Sequence, residues 1–255
     1  MISGSLLFCL ILRAAIPVYH LFYDFAMKTG GRCAILTKVH EGGADRMKIY
    51  FVRHGETDWN KERRIQGQVD IPLNEFGRHL ARETAKGLAD VPFNVCFTSP
   101  LGRAKETALL ILNGRDVPII EDQRIKEMAF GVLEGKCCSK EGWEVPDSFQ
   151  CFFDDPVHYE APEGGENFRE VQKRTGAFLD WLFHQEKYKD STILVTTHGA
   201  AMAGLLNNLK KKPLSEYWGT GVHKNCGVTE VEVTEGKAVI LSENKAYYDD
   251  VVKPW

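Results

Sequence analysis

From residue 47 onward the apolar positions follow two periods in turn. Ile49-Tyr50-Phe51-Val52 is an unbroken apolar run that stops at Arg53-His54-Gly55. It has the pattern of a strand covered on both faces in a parallel sheet. Asn74 is a good N-cap for a segment in which Phe76, Leu80, Thr84 and Leu88 recur every four residues, which predicts an amphipathic helix. Phe93 to Phe97 predicts a second strand, and Ser99-Pro100 supply an N-cap and a favoured first helical residue. The buried stripe of that helix is Leu101, Ala104, Ala108, Ile111 and Leu112. After the Gly164-Gly165 turn, Phe168, Val171, Thr175, Phe178, Leu179, Leu182 and Phe183 keep helical spacing. Thr192 to Val195 predicts another buried strand, which ends at Thr196-Thr197-His198-Gly199 ahead of an Ala-rich helix from Ala200 to about Leu209. Val231 and Val233 alternate with Glu230 and Glu232, turn through Gly236 and return by Ala238 to Leu241, the pattern of a peripheral antiparallel hairpin. Together these elements predict an α/β three-layer sandwich: a mostly parallel sheet flanked by helices, joined by right-handed crossovers.

The first 46 residues read differently. Leu6 to Leu12 is apolar, but Arg13 and Pro17 interrupt it before Val18 to Phe22 resumes. A spanning helix needs about 20 largely apolar residues, so no membrane association is expected from this segment. No positive start precedes Leu6, which argues against a secretory signal. Residues 28 to 46 are Gly-rich and polar, as in a linker. The expected division is therefore an N-terminal leader or extension over 1–46, outside the core fold, and a folded domain over 47–255 with Met47 as its functional start.

Composition narrows the function classes. The chain of 255 residues carries 32 basic against 35 acidic side chains, a net charge of −3, which gives no bulk attraction for nucleic acid. Hydrophobic residues make up 44%, enough for a sizeable core. Seven cysteines, at positions 9, 33, 96, 137, 138, 151 and 226, form no C-x-x-C pair and no repeating interval. They are read as reduced thiols of a cytoplasmic protein, not as a disulfide framework or zinc site. No sequence feature specifies an oligomer.

Ligands of such sheets bind at the carboxyl ends of the strands. His54 and His198 each follow a strand at that rim. Arg53 adjoins His54, and Arg103 falls in the first turn of its helix, where the macrodipole already favours an anion. One histidine or one arginine would signify little. Two of each describe a pocket for a doubly charged phosphoryl group, because planar guanidinium forks match its oxygens.

The residues that carry this chemistry also carry a resemblance. Arg53-His54-Gly55-Glu56-Thr57, directly after a buried strand, resembles the R-H-G-[ET] signature of the histidine phosphatase superfamily, the phosphoglycerate mutase-like proteins. The match continues through Asp58-Trp59-Asn60, Gln66-Gly67, Thr98-Ser99-Pro100-Leu101 with Arg103-Ala104, Glu127 with Gly131 and Glu134-Gly135, Gly164-Gly165-Glu166, and Thr196-Thr197-His198-Gly199. The resemblance implies the phosphoglycerate mutase-like fold and assigns the nucleophile to His54, which would become a phosphohistidine. It implies that Arg53, Arg103 and a protonated His198 balance the transferring charge with no metal and no cofactor. Glu127 stands at the family's acid position and would serve first as acid, then as base toward water. Thr57, Asn60, Gln66 and Gly67 match positions that touch phosphate or substrate, and a turn-forming role weighs equally for each. Thr197 would orient His198. His158 and His184 lie outside the motifs and are read as surface groups.

The expected activity is hydrolysis of a small phosphorylated metabolite. Two alternatives compete with it: a mutase using the same phosphohistidine, and a non-catalytic phosphate-binding module. Family mutases carry Glu-Arg-x-Tyr-Gly around the acid, whereas this chain reads Glu127-Met128-Ala129-Phe130-Gly131, which favours hydrolysis. Residues 136–159, with Trp143, Phe149, Phe152, Phe153 and Tyr159, are expected either to form a lid over the pocket or to pack against the sheet edge.

Overall fold

The apolar run at residues 49–52 lies at the centre of a six-stranded mixed sheet. The computed structural model describes residues 46–252, all within the unit Ala44–Trp255. The expected leader thus lies outside the described residues except for Arg46, which opens β1 (Arg46–Arg53) one residue before Met47. The Arg46 backbone N–H donates to Asp190 Oδ1 at 3.1 Å.

The other strands are β2 (Val95–Thr98), β3 (Ile119–Glu121), β4 (Thr192–Thr197), β5 (Val228–Thr234) and β6 (Lys237–Lys245), in the order β3-β2-β4-β1-β5-β6. β1, β2, β3 and β4 are mutually parallel, while β5 pairs antiparallel with β1 and β6 antiparallel with β5. The helices that cover the sheet or carry its loops are α1 (Asp58–Lys61), α2 (Glu75–Gly87), α3 (Gly102–Leu112), α4 (Cys151–Asp154), α5 (Phe168–Phe183) and α6 (Gly199–Lys210).

Side-chain alternation divides the core into two layers. Ile49, Phe51, Phe97, Ile193 and Val195 face α5 and α6 and pack with Phe178, Leu182, Met202 and Leu205. Tyr50, Val52, Cys96 and Leu194 face the opposite layer and pack with Leu88, Ala108, Ile111 and Leu112. Burying one such side chain fully contributes about 1.5–3 kcal/mol, so the central strands are held from both sides. A third cluster, built around Phe130, Phe149, Phe152, Tyr159 and Phe168, lies apart from the sheet's two faces.

Three features depart from the sequence reading. α3 starts at Gly102 with Leu101 as N-cap, not at Ser99-Pro100. The short edge strand β3 has every residue exposed and so carries no burial pattern to betray it. The hairpin is peripheral only in β6, since β5 pairs along its length with β1. The cysteines at 96, 137, 138, 151 and 226 are free thiols, whereas those at 9 and 33 lie outside the described residues. Among the described residues no helix is long and apolar enough to cross a membrane.

Candidate active site

Strand register brings the two histidines together. β1 and β4 pair in parallel with Arg53 opposite Thr197, so His54 and His198 leave neighbouring strands at the same level. Their ring centroids are 5.1 Å apart with planes inclined by 57°. The His54 Nδ1 lies 2.7 Å from the Gly55 carbonyl. A carbonyl can only accept, so Nδ1 carries the proton and Nε2 keeps its lone pair. Burial, with Arg103 and Arg53 nearby, holds the His54 pKa well below its ordinary value. The ring is therefore neutral at pH 7, as a nucleophile must be.

The backbone around His54 is pinned on three sides. The His54 N–H donates to the Thr197 carbonyl at 2.9 Å. Asn225 Nδ2 donates to the His54 carbonyl at 3.0 Å, and the next N–H, of Gly55, donates to Thr107 Oγ1 at 3.0 Å. Gly55 also touches α2: a Cβ placed on it would lie 2.6 Å from the Gly77 carbonyl oxygen, and one on Gly77 would lie 2.1 Å from that of Glu56. Only two glycines permit this approach.

Both arginines are buried and partly spent on the scaffold. Arg53 Nη1 donates to the His223 carbonyl. Arg103, fully buried, donates from Nη1 to the Val69 carbonyl at 2.8 Å and from Nη2 to that of Gly67 at 2.7 Å, so it clamps the 67–69 loop. Burial lowers the pKa of Arg53 to about 10 and also lowers that of Arg103, yet both stay charged at neutral pH. Four buried nitrogens have no hydrogen-bond partner among the described residues: Arg53 Nε, Arg103 Nε, Asn60 Nδ2 and His198 Nδ1. Unpaired buried donors cost about 1–3 kcal/mol each unless a ligand meets them.

Glu127 occupies the start of α6. Its Oε1 accepts from the N–H groups of Met128 at 2.9 Å and Ala201 at 3.0 Å, and its Oε2 from that of Ala200 at 3.2 Å. A Cβ on Gly199 would stand 3.6 Å from Glu127 Oε2 and 3.7 Å from Arg53 Nε, so carboxylate and guanidinium flank one point.

The sequence-predicted residues Arg53, His54, Asn60, Gln66, Gly67, Arg103 and Glu127 line one cleft. His198 is fully buried beside His54. Thr57 does not line the cleft. It is the N-cap of α1, where its hydroxyl accepts from the Asn60 N–H and donates to Gln66 Oε1 at 2.9 Å. Thr197 does not orient His198 either, because its hydroxyl donates to the Ile125 carbonyl at 2.8 Å. That role passes to Ser99, whose Oγ lies 2.7 Å from His198 Nε2. The protonated state expected of His198 stands against burial and the Arg103 charge, which in the unliganded protein hold its pKa well below the ordinary value. Ser99, His223 and Asn225 were missed as site residues. Ser99 stood in a motif but read as a helix cap, and the other two bond to residues about 170 positions away, a separation no local pattern carries. Aromatic side chains of the 136–159 stretch do reach the cleft: Phe149, Phe152 and Phe153 line it with Trp218, whereas Trp143 packs behind them. His158 and His184 are exposed and paired with Asp155 and Asp180. No group of three or more His, Cys, Asp or Glu that could hold a metal ion occurs among the described residues.

Comparison with known proteins identifies the family and its fold. The family model for the histidine phosphatase superfamily (branch 1) matches residues 49–246. A phosphoserine phosphatase 1 from Hydrogenobacter thermophilus is 29% identical over 198 residues, 78% of this chain and 92% of its own. A 2,3-bisphosphoglycerate-dependent phosphoglycerate mutase 2 from Gloeobacter violaceus is 34% identical over 168 residues, 63% of this chain and 74% of its own. Among solved structures, Bacillus stearothermophilus YhfR matches with a TM-score of 0.72 at 35% identity, covering 78% of this chain and 97% of that one.

Proposed function

Because this chain belongs to the histidine phosphatase superfamily, we propose that it is a metal-independent phosphomonoester hydrolase acting on a small phosphorylated metabolite through a phosphohistidine at His54. The observation that carries the reading is the fixed tautomer of His54, Nδ1–H to the Gly55 carbonyl, set among buried donors left unpaired on Arg53, Arg103 and Asn60. His54 Nε2 attacks phosphorus as the ester P–O bond breaks. The Gly55 carbonyl then stabilises the positive charge that the phosphorylated ring acquires, and the two guanidiniums balance the phosphoryl oxygens throughout. The departing alkoxide takes a proton from Glu127. Glu127 next takes a proton from water, whose oxygen attacks phosphorus as the P–N bond breaks, releasing inorganic phosphate and restoring neutral His54.

Hydrolysis is favoured over transfer by the residues around the acid. Where family mutases carry Arg and Tyr, Met128 is buried in the aromatic cluster and Phe130 lines the cleft. Neither offers a hydrogen bond to hold a glycerate for return of the phosphoryl group. A panel of phosphate monoesters, incubated with chelator, tests the assignment by measuring inorganic phosphate and isomerised product together. Phosphate release that survives chelation and disappears in His54→Ala is expected. Isomerisation without release would replace hydrolase by mutase, and ester binding without turnover would leave only a binding module.

A further inference from the structure

The cleft has two chemically opposite ends. Its charged lining is confined to Arg53, Arg103 and Glu127, beside the neutral ring of His54. The uncharged polar liners Asn60 and Gln66 belong to the same end, since both bond to Thr57 and Asn60 Oδ1 also accepts from Asn225, which holds the His54 carbonyl. Most of the remaining wall is apolar, dominated by Phe130, Phe149, Phe152, Phe153 and Trp218, whereas Val222 sits at Gly199 beside Glu127 and Arg53.

That wall is tightly packed, and the unpaired hydroxyl of Tyr159, which packs against Phe149 and Phe152, is buried outside the cleft lining. Phe152 stacks on Phe149 with centroids 5.1 Å apart and planes 13° off parallel, and Trp218 meets Phe152 edge-on at 5.0 Å. The Trp218 indole N–H donates to the Phe152 carbonyl at 2.6 Å, and the Cys138 thiol beside the wall donates to the Arg63 carbonyl at 3.3 Å. A carboxylate or ammonium seated here would lose its water without gaining a partner, which is strongly unfavourable. An apolar ring would trade water for close aromatic contact.

We infer that the site selects monoesters whose alcohol is uncharged, apolar and of ring size, and discriminates against those whose alcohol carries a carboxylate or ammonium group. This substrate class rests on the phosphatase reading above, because it takes the cationic end of the cleft to be the phosphoryl site.

The test compares kcat/KM for 2-phenylethyl phosphate, L-phosphoserine and 3-phosphoglycerate. All three release an aliphatic alkoxide, so differences in leaving-group reactivity do not mask the wall. A preference of about tenfold or more for the phenylethyl ester is expected. Phe153 is only partly buried, so Phe153→Lys can supply the missing cation and should shrink or reverse that preference, while Phe153→Leu retains it. Preference of the natural protein for either carboxylate ester, or an unchanged ratio in Phe153→Lys, would overturn the inference and leave the phosphatase reading standing. If no monoester is hydrolysed the phosphatase reading fails, and binding decides the inference alone. Calorimetry with 3-phenylpropylphosphonate and 2-amino-4-phosphonobutanoate should then show tighter binding of the former, and equal or weaker binding would overturn the inference.

Discussion

The two ring nitrogens of His198 have unlike surroundings, and the difference shows how single residues set this site. Nε2 meets Ser99 Oγ at 2.7 Å, while Nδ1 is buried with no partner among the described residues. Ser99→Ala removes the contact that holds the ring's angle next to His54. The expected result is a fall in kcat of about tenfold with KM little changed, read by steady-state kinetics on a folded variant. An unchanged kcat would reduce Ser99 to a packing residue. Asn225 plays the corresponding part for His54, since one amide group bonds the His54 carbonyl and Asn60 Oδ1. Asn225→Ala leaves that buried carbonyl short of a donor and should cost about 1–3 kcal/mol in denaturant unfolding.

At the scale of elements, the loop that carries His54 depends on how closely α2 approaches it. Gly77→Ala would place a methyl against the Glu56 carbonyl, so α2 must retreat from the loop that carries His54. Overpacking of this kind costs about 1–3 kcal/mol, and activity should fall with stability. A Gly77→Ala protein with wild-type melting and turnover would show that the contact is slack. The same elements show what the sequence makes legible. The Asn74 cap, the stripe of α5 and the two strands that end at histidines could all be read, because capping and burial periods are local. The start of α3 could not: Ser99 Oγ does accept from the Leu101 N–H at 3.3 Å but also meets His198, 99 residues away, and the helix begins only at Gly102 with Leu101 as its cap. Thr57 and Thr197 lay in the right motifs, but their hydroxyls serve the scaffold, a choice made by tertiary neighbours. The pairing of β5 with β1 escaped for a similar reason: alternation identifies a strand but not its partner.

For the molecule as a whole, the buried histidines couple stability to pH. Burial holds His54 and His198 well below the ordinary value of 6.5 and His223 down at about 4. Below 6.5 the unfolded chain binds protons that the folded chain refuses, so stability falls as pH drops from about 6.5 toward 4 and is insensitive to these groups above about 7.5. His223 alone accounts for roughly 3 kcal/mol across that window. Calorimetric melting should show the decline, with a shallower slope in His223→Gln; a Tm that holds or rises on acidification to pH 5 would contradict the assignment. The fold itself serves one purpose at the site: parallel pairing of β1 with β4 sets a neutral imidazole beside buried guanidiniums at one rim. The most direct test of that claim is rapid quenching during turnover, followed by peptide mapping under alkaline conditions. The account predicts an acid-labile, base-stable phosphoryl group on the peptide containing His54, absent from His54→Ala. Steady turnover with no such adduct, or undiminished turnover in His54→Ala, would contradict it.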